Sequence, residues 1–169
     1  MKTSVLITAV SGTGKSTVCK ALEKSGYTAY DIESIPGLYE LVDEKTGDII
    51  TGTMNQIKEG VDWNCKMHEL QTLLASQLDG TVFYCGGMSN TEEVWNYFDK
   101  VLILTVSDST TEKRLSTRDS TEFGGSKKNR DWVLGWKGDV ERRWLEMGGI
   151  EINAEARPDI LVENILRSI

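Results

Sequence analysis

Five short runs of apolar and β-branched residues punctuate the chain: Val5-Leu6-Ile7-Thr8-Ala9-Val10, then 27–30, 81–85, 101–106 and 150–152. The first four carry no charge, the pattern of strands buried on both faces. Between the runs, apolar residues recur at helical spacing over 15–25, about 63–79, 91–98, 109–118, 130–147 and 158–168. Pro158 fits the first turn of the last helix, where its missing N–H costs nothing. Strands and helices that alternate in this way predict a parallel sheet with helices on both faces. No internal repeat and no linker divides the chain, so 1–169 reads as a single domain.

Two stretches fall out of step. Residues 34–62 contain Pro36, four glycines and mixed polarity, and read as a short helix near 37–43 followed by a turn at Lys45-Thr46-Gly47-Asp48. Residues 119–130, DSTEFGGSKKNR, are polar, with a Gly-Gly pair and a basic end. Long excursions of this kind in a small domain are lids or binding loops, and 119–130 is expected to be a lid.

Composition adds bounds. With 169 residues, 39% of them hydrophobic, the chain supports one core, and 27% charge with no low-complexity tract argues against disorder. The sequence starts directly on the first strand, with no apolar leader or span, so a cytoplasmic protein away from membranes is expected. Cys19, Cys65 and Cys85 form no CxxC pair and read as reduced, mostly buried thiols. His68 is the single histidine, which excludes a multi-histidine metal site, and it reads as a helix-surface residue. The net charge of −7 disfavours a nucleic-acid partner. Asp31 to Asp62 holds eight acids against Lys45 and Lys58, whereas Ser107 to Leu145 holds nine Lys/Arg against seven acids. This asymmetry reads either as solvated surface or as two sides of one site that differ in charge.

Chemistry concentrates after the first run, at Ser11-Gly12-Thr13-Gly14-Lys15-Ser16-Thr17. A strand that ends in a glycine-rich turn and enters a helix surrounds one concavity with backbone N–H groups, at the positive end of the helix dipole. Glycine lets the backbone approach phosphate oxygens. Lys15 is placed to meet the β/γ-phosphates, and the Ser16 hydroxyl to ligate Mg²⁺. The stretch fits GxxxxGK[ST] except that Ala9 stands at its first position. Phosphate binding follows; which reaction follows it does not, since kinases, hydrolases and switches all use such a loop.

Other segments narrow the choice. Asp31 and Glu33 leave the end of the second strand, where one carboxylate can serve the metal and the other an acceptor hydroxyl. Cys85-Gly86-Gly87 ends the third strand and reads either as a plain loop or as a turn on which a ligand lies. Arg114 and Arg118 share a helix face and run into the polar loop; they are ordinary solvated arginines or a lid closing on a triphosphate, with Arg118 neutralising transition-state charge. Trp63, Trp95, Trp132, Trp136 and Trp144 read as core or lid packing, with Trp63 the candidate for facing a ligand.

With these residues the chain resembles the small P-loop kinases: shikimate kinase, gluconate kinase and the nucleoside-monophosphate kinases. It is also similar to a group of short bacterial P-loop ATPases, for which the resemblance implies no acceptor. The resemblance implies a three-layer α/β/α P-loop NTPase fold with five parallel strands in the order 2-3-1-4-5. Asp31-Ile32-Glu33 looks like the Asp-x-Asp of shikimate kinases, implying Mg²⁺ at Asp31 and the acceptor at Glu33. Cys85-Gly86-Gly87 looks like their Gly-Gly-Gly acceptor turn, with its first glycine replaced. Arg114 and Arg118 stand where those enzymes carry adenine-stacking and lid arginines. Glu141-Arg142-Arg143 resembles their Tyr-Arg-Arg, implying acceptor contact by Arg143. Ile152 to Pro158 resembles the turn that packs on adenine, implying nucleotide contact by Arg157 and Pro158. The chain departs from the pattern in carrying no arginine on the segment Trp63-Asn64-Cys65-Lys66-Met67-His68, and a Walker B aspartate is absent from 81–85.

The resulting expectation is Mg²⁺- and ATP-dependent transfer of the γ-phosphoryl group to a nucleoside, sugar, shikimate-like compound or nucleoside monophosphate, by a monomer or weak homodimer. A nucleotide-binding regulatory module with little turnover is the rival. The resemblance implies an acceptor-binding region at about 32–80; with the adjoining Asp31 it holds ten acids, three lysines and no arginine, which ranks neutral or cationic acceptors first. Arg142 and Arg143, reaching in from the other side, would restore an anion.

Overall fold

A computed structural model describes residues 1–77 and 79–169. The central sheet is parallel and five-stranded: β1 (Lys2–Thr8), β2 (Thr28–Asp31), β6 (Gly80–Cys85), β7 (Lys100–Thr105) and β8 (Ile150–Asn153), in the spatial order β2-β6-β1-β7-β8. Counted along this sheet, that is the expected order 2-3-1-4-5. Successive side chains of a strand point to opposite faces. Val5 and Ile7 accordingly join Val18, Leu22, Leu161 and Ile165 beneath α1 (Lys15–Lys24) and α6 (Pro158–Arg167). Leu6, between them, joins Leu70, Tyr84 and Val94 beneath α2 (Met67–Ala75) and α3 (Thr91–Val94) on the other face. Val5, Leu6 and Ile7 are all fully buried, which is why the run is unbroken by charge.

The segment between β2 and α2 departs from expectation. Residues 37–43 are not helical; Tyr39–Asp43 is a strand, β3, which pairs antiparallel with β4 (Ile49–Ile50) and β5 (Val61–Cys65) in a second, three-stranded sheet. The turn at Lys45 to Asp48 is present and closes the β3–β4 hairpin, with the Asp43 carboxylate accepting from the N–H groups of Lys45 and Thr46. These two bonds, strongest first from Thr46, hold Asp43 below the usual carboxylate range. The helix expected from 63 starts at Met67 instead. Val61, Trp63 and Cys65 alternate with Asp62 and Asn64, a period of two that belongs to a strand.

After β7 come α4 (Asp108–Ser116) and α5 (Lys127–Glu146). Ser107 and Ser126 cap them by accepting from the N–H groups of Thr110 and Asn129. Under α4, α5 and the small sheet lies a third apolar cluster that includes Leu41, Val61, Ile103, Leu115, Phe123 and Trp144. All three cysteines are free and buried. Among the described residues no helix is long and apolar enough to cross a membrane.

Candidate functional site

The turn from β1 into α1 is shaped by its glycines. Gly14 is the N-cap of α1 in left-handed backbone (φ 110°), a conformation that disfavours a side chain. No side-chain cap and no acidic residue occupies the first turn of α1, so its N–H groups stay open to an anion. Thr13 Oγ1 donates to Val10 O at 2.7 Å and closes the loop on itself. Lys15 Nζ lies 3.0 Å from Ala9 O, its acceptor, and 3.7 Å from Glu33 Oε1. Ala9 thus fills the motif's first position with a carbonyl that steadies the lysine. Ser16 and Thr17 are exposed on the first turn of the helix.

Glu33 connects this loop to the turn after β6. Its Oε1 accepts from Gly87 N at 2.5 Å while facing Lys15. A Cβ on Gly87 would stand 3.2 Å from Lys15 Nζ, so backbone, lysine and glutamate converge there. Gly86 is required by packing: a Cβ would meet Ile32 Cγ1 at 2.5 Å and Tyr39 Oη at 2.9 Å. Asp31 ends β2 in register with Cys85. The Cys85 thiol is pushed up, first by its hydrogen bond with Cys19 and then by burial.

The loop beyond Gly87 fastens the small sheet. Ser89 exchanges hydrogen bonds with Trp63, through Trp63 N to Ser89 Oγ (2.9 Å) and Ser89 N to Trp63 O (2.8 Å). The Asn90 amide does the same for Cys65, at 2.9 and 3.0 Å. Trp63 is therefore held beside Gly87, on a strand rather than at the head of a helix, and its ring stacks on Tyr39 at 5.0 Å and 12°. The Tyr39 hydroxyl is buried with no hydrogen-bond partner among the described residues, and burial, followed by the Glu33 charge, raises its pKa.

On the opposite side, Arg114 Nη1 donates to Thr13 O at 2.6 Å. Arg118 Nη1 donates to Ser11 Oγ at 2.9 Å and Phe123 O at 2.7 Å, joining the phosphate loop to the segment 119–130. Burial pulls the Arg118 guanidinium below its ordinary value, with Glu122 and Glu33 opposing that shift. The segment itself is packed down: Phe123 is buried, Phe123 N donates to Asn55 Oδ1, and Asn129 Nδ2 donates to Ile57 O.

These parts enclose a cavity of about 370 Å³. Ala9, Val10, Ser11 and Lys15 form its phosphate end, with Glu33 and Gly87 at the junction. The far end is lined by Trp63, Phe123, Trp132, Trp136 and Trp144, together with Glu44, Asp62, Glu92 and Arg143. Arg143 is engaged by Glu92 at 3.2 Å. Arg142 pairs with Asp139 at an exposed position and does not line the cavity.

Of the residues singled out from sequence, Ser11, Lys15, Glu33, Trp63, Gly87 and Arg143 line this cavity. Gly12, Thr13, Gly14, Arg114 and Arg118 border it through the loop and its arginines. Arg157 and Pro158 lie exposed at the start of α6, and Arg157 pairs with Asp159 at 2.8 Å. Glu155, not anticipated, ties that turn to α4 by accepting from Ser107 N and Thr110 Oγ1. Also missed were Tyr39, Glu44, Asp62, Glu92 and the roles of Phe123 and three tryptophans. The alternation in 61–65 was the available signal for Asp62.

The donors suited to a metal are all hard oxygens: the Ser16 hydroxyl and the Asp31 and Glu33 carboxylates. Among the described residues no group of three or more His, Cys, Asp or Glu forms a cage. That set fits Mg²⁺, which keeps waters and phosphate oxygens as most of its ligands.

Comparison with known proteins agrees with this architecture. A family model described as an AAA domain matches residues 5–134. No curated protein matches the sequence. Among solved structures, shikimate kinase from Aquifex aeolicus superposes with a TM-score of 0.58 at 21% identity, over 98% of this chain and 95% of that one. Deoxyadenosine kinase from M. mycoides, with its products dCMP and dCDP, gives 0.56 at 17%, over 98% and 97%. A gluconokinase from Sinorhizobium meliloti gives 0.52 at 16%, over 98% and 90%. At these identities the likeness shows a shared fold, that of P-loop small-molecule kinases.

Proposed function

The chain belongs to the AAA domain family, and from that premise we propose that it is an ATP-dependent kinase that moves the γ-phosphoryl group to a hydroxyl or phosphate of a small molecule. One observation carries the reading: phosphate loop and aromatic chamber are two ends of one cavity, and Glu33 stands where they meet. A module that only binds nucleotide has no use for the second chamber.

In this reading the triphosphate lies on the open N–H groups of α1. Lys15 leaves Ala9 O for the β/γ-phosphates, and Arg118, already at Ser11, balances charge that develops on the transferring group. Arg114 steadies the loop through Thr13 O. Ser16 and Asp31 would hold Mg²⁺, which supplies neutralisation of the phosphate oxygens. Glu33 receives or orients the acceptor hydroxyl, fixed for that by Gly87 N. The packed segment 119–130 keeps water out of the junction and must shift for substrates to enter.

The test is ADP release measured with a panel of sugars, amino sugars, nucleosides, nucleoside monophosphates and shikimate. Lys15→Ala should lower acceptor-stimulated turnover by about 10²-fold or more. Retention of full turnover in that variant would sink the mechanism.

A further inference from the structure

The cavity changes character along its length. Six lining residues make up its phosphate end and the junction; of the other fifteen, ten are apolar or aromatic. Five of these ten, Ile57, Val61, Met88, Phe123 and Trp144, are buried and form the inner wall. Charge is confined to the margin. Glu44 and Glu92 are exposed, Asp62 is half-buried next to Glu44, and Glu92 is engaged by Arg143 at 3.2 Å. Ser89 is tied to Trp63 through both its hydroxyl and its N–H. A compound rich in hydroxyls would find few partners on such a wall, and each hydroxyl buried without one lowers its affinity.

A second observation ties the wall to the chemistry. Phe123, Trp132 and Trp136 form a row of edge-to-face rings, with centroids 6.3 and 5.8 Å apart and planes at 78° and 68°. Phe123 O accepts from Arg118 Nη1 at 2.7 Å, and the same nitrogen donates to Ser11 Oγ of the phosphate loop at 2.9 Å. One guanidinium therefore holds the head of the aromatic row against the loop that binds phosphate. Rings of this kind pair edge-on or offset with a further ring, and they are the usual lining of pockets for flat ligands. Met54 and Met88, flexible and polarizable, complete the lining and adapt to a ring's outline.

We infer that the acceptor is an uncharged hydroxyl compound built on an aromatic ring, with the ring against Phe123, Trp132 and Trp136 and its hydroxyl arm at Glu33. The inference rests on the kinase reading. About 150 Å³ of apolar cavity holds a benzene ring. A cavity of about 370 Å³ therefore takes one ring system with a short arm once its phosphate end is filled. At Glu33 the hydroxyl oxygen bonds to the γ-phosphorus as the bond to the bridging oxygen breaks. ADP leaves with that electron pair, and the hydroxyl proton passes to the Glu33 carboxylate. A polyhydroxylated acid would meet an apolar wall and cations already paired, Lys15 by Glu33 and Arg143 by Glu92.

Matched pairs that differ by a ring test the class: phenoxypropanediol against glycerol, and thymidine against deoxyribose, with shikimate as the polyhydroxylated acid. ADP release gives turnover. Binding is read separately from tryptophan fluorescence, since four of the five tryptophans line the cavity. The expected result is kcat/KM on the order of ten- to a hundredfold higher for each ring-bearing partner, the gain from burying one ring. Trp132→Ala and Trp136→Ala should each collapse that preference by raising KM for the aryl compound more than they change kcat, and Trp132→Phe should keep it. Melting temperatures within a few degrees of the parent would show that the variants fold, and Trp132→Leu, which keeps bulk without a ring, replaces an alanine variant that melts early. Equal or better turnover of glycerol, deoxyribose or shikimate overturns the inference. So does unchanged fluorescence with every ring-bearing compound while ATP binds. Failure to bind ATP, with the fluorescence still responding to the rings, would instead remove the kinase reading and leave the chamber's preference for rings in place.

Discussion

Lys137 offers the sharpest physical test, because it is a buried ammonium at 3% exposure with three acceptors. It donates to Val106 O at 2.9 Å, Asp108 Oδ1 at 3.1 Å and Glu141 Oε2 at 3.1 Å, and so fastens α5 to the end of β7 and the start of α4. Lys137→Met keeps most of the stem's volume but leaves Glu141, only 12% exposed, without its cation. Asp108 is mostly exposed and contributes little. Breaking a buried pair costs about 3–5 kcal/mol, and at about 2–4 °C per kcal/mol the low end is a drop of roughly 6–12 °C. The loss should depend on pH. Burial raises the Glu141 pKa above the usual glutamate range, and Lys137 pulls it back. Without the lysine it rises further. A carboxyl raised in the folded state gives stability that is present below its unfolded value and lost as pH climbs through the folded one. The penalty should therefore be smallest near pH 4.5 and grow toward pH 7.5, by about 1.4 kcal/mol for each unit of further rise. Urea denaturation of parent and variant at both pH values measures it, and Lys137→Met/Glu141→Leu should recover most of the loss. A penalty under about 1 kcal/mol, or one equal at both pH values, would refute the reasoning.

Two further substitutions probe the turn between the cavity's ends. Gly86→Ala should cost about 1–3 kcal/mol in urea denaturation, since its Cβ would overlap Ile32; an unchanged midpoint would contradict the packing. Tyr39→Phe removes a buried hydroxyl that has no partner, so stability should stay level or rise by up to about 1 kcal/mol. A loss larger than that in thermal unfolding would mean the hydroxyl is satisfied in the folded protein.

The central sheet was legible because its three inner strands, β6, β1 and β7, are buried on both faces, so the requirement for apolar residues falls on consecutive positions such as Val5-Leu6-Ile7, while the edge strands β2 and β8 are short and only partly buried. The small sheet was not. Its strands have one face on the cavity and one toward solvent, and Tyr-Glu-Leu-Val-Asp over 39–43 is only half apolar. Five residues of that pattern are compatible with a helical turn, and Leu41, the one residue of β3 that is buried, gives no period by itself. Pairing with β5, some twenty residues on, settles the conformation. The same pairing converts Trp63 from a helix opener into a strand residue stacked on Tyr39.

The two ends of the cavity differ in legibility for a reason that lies in how each recognises its ligand. Phosphate is gripped by backbone N–H groups, which must come from one continuous turn; Ser11 to Thr17 therefore forms a motif. The far chamber is lined by side chains from β5, from the turns after β3 and β6, from α5 and from the segment around Phe123. Its members are separated by up to a hundred positions, so no local pattern marks them. The acidity of 32–80 is spread over more surface than the cavity wall. Of its nine acids only Glu33, Glu44 and Asp62 line the cavity, and Glu92 joins them from outside the segment. Arg143, expected to rescue an anionic acceptor, is held by that same Glu92. Which carboxylates reach the cavity, and which of them meet a cation there, is thus decided by strand pairing and helix packing, not by how many acids the segment contains.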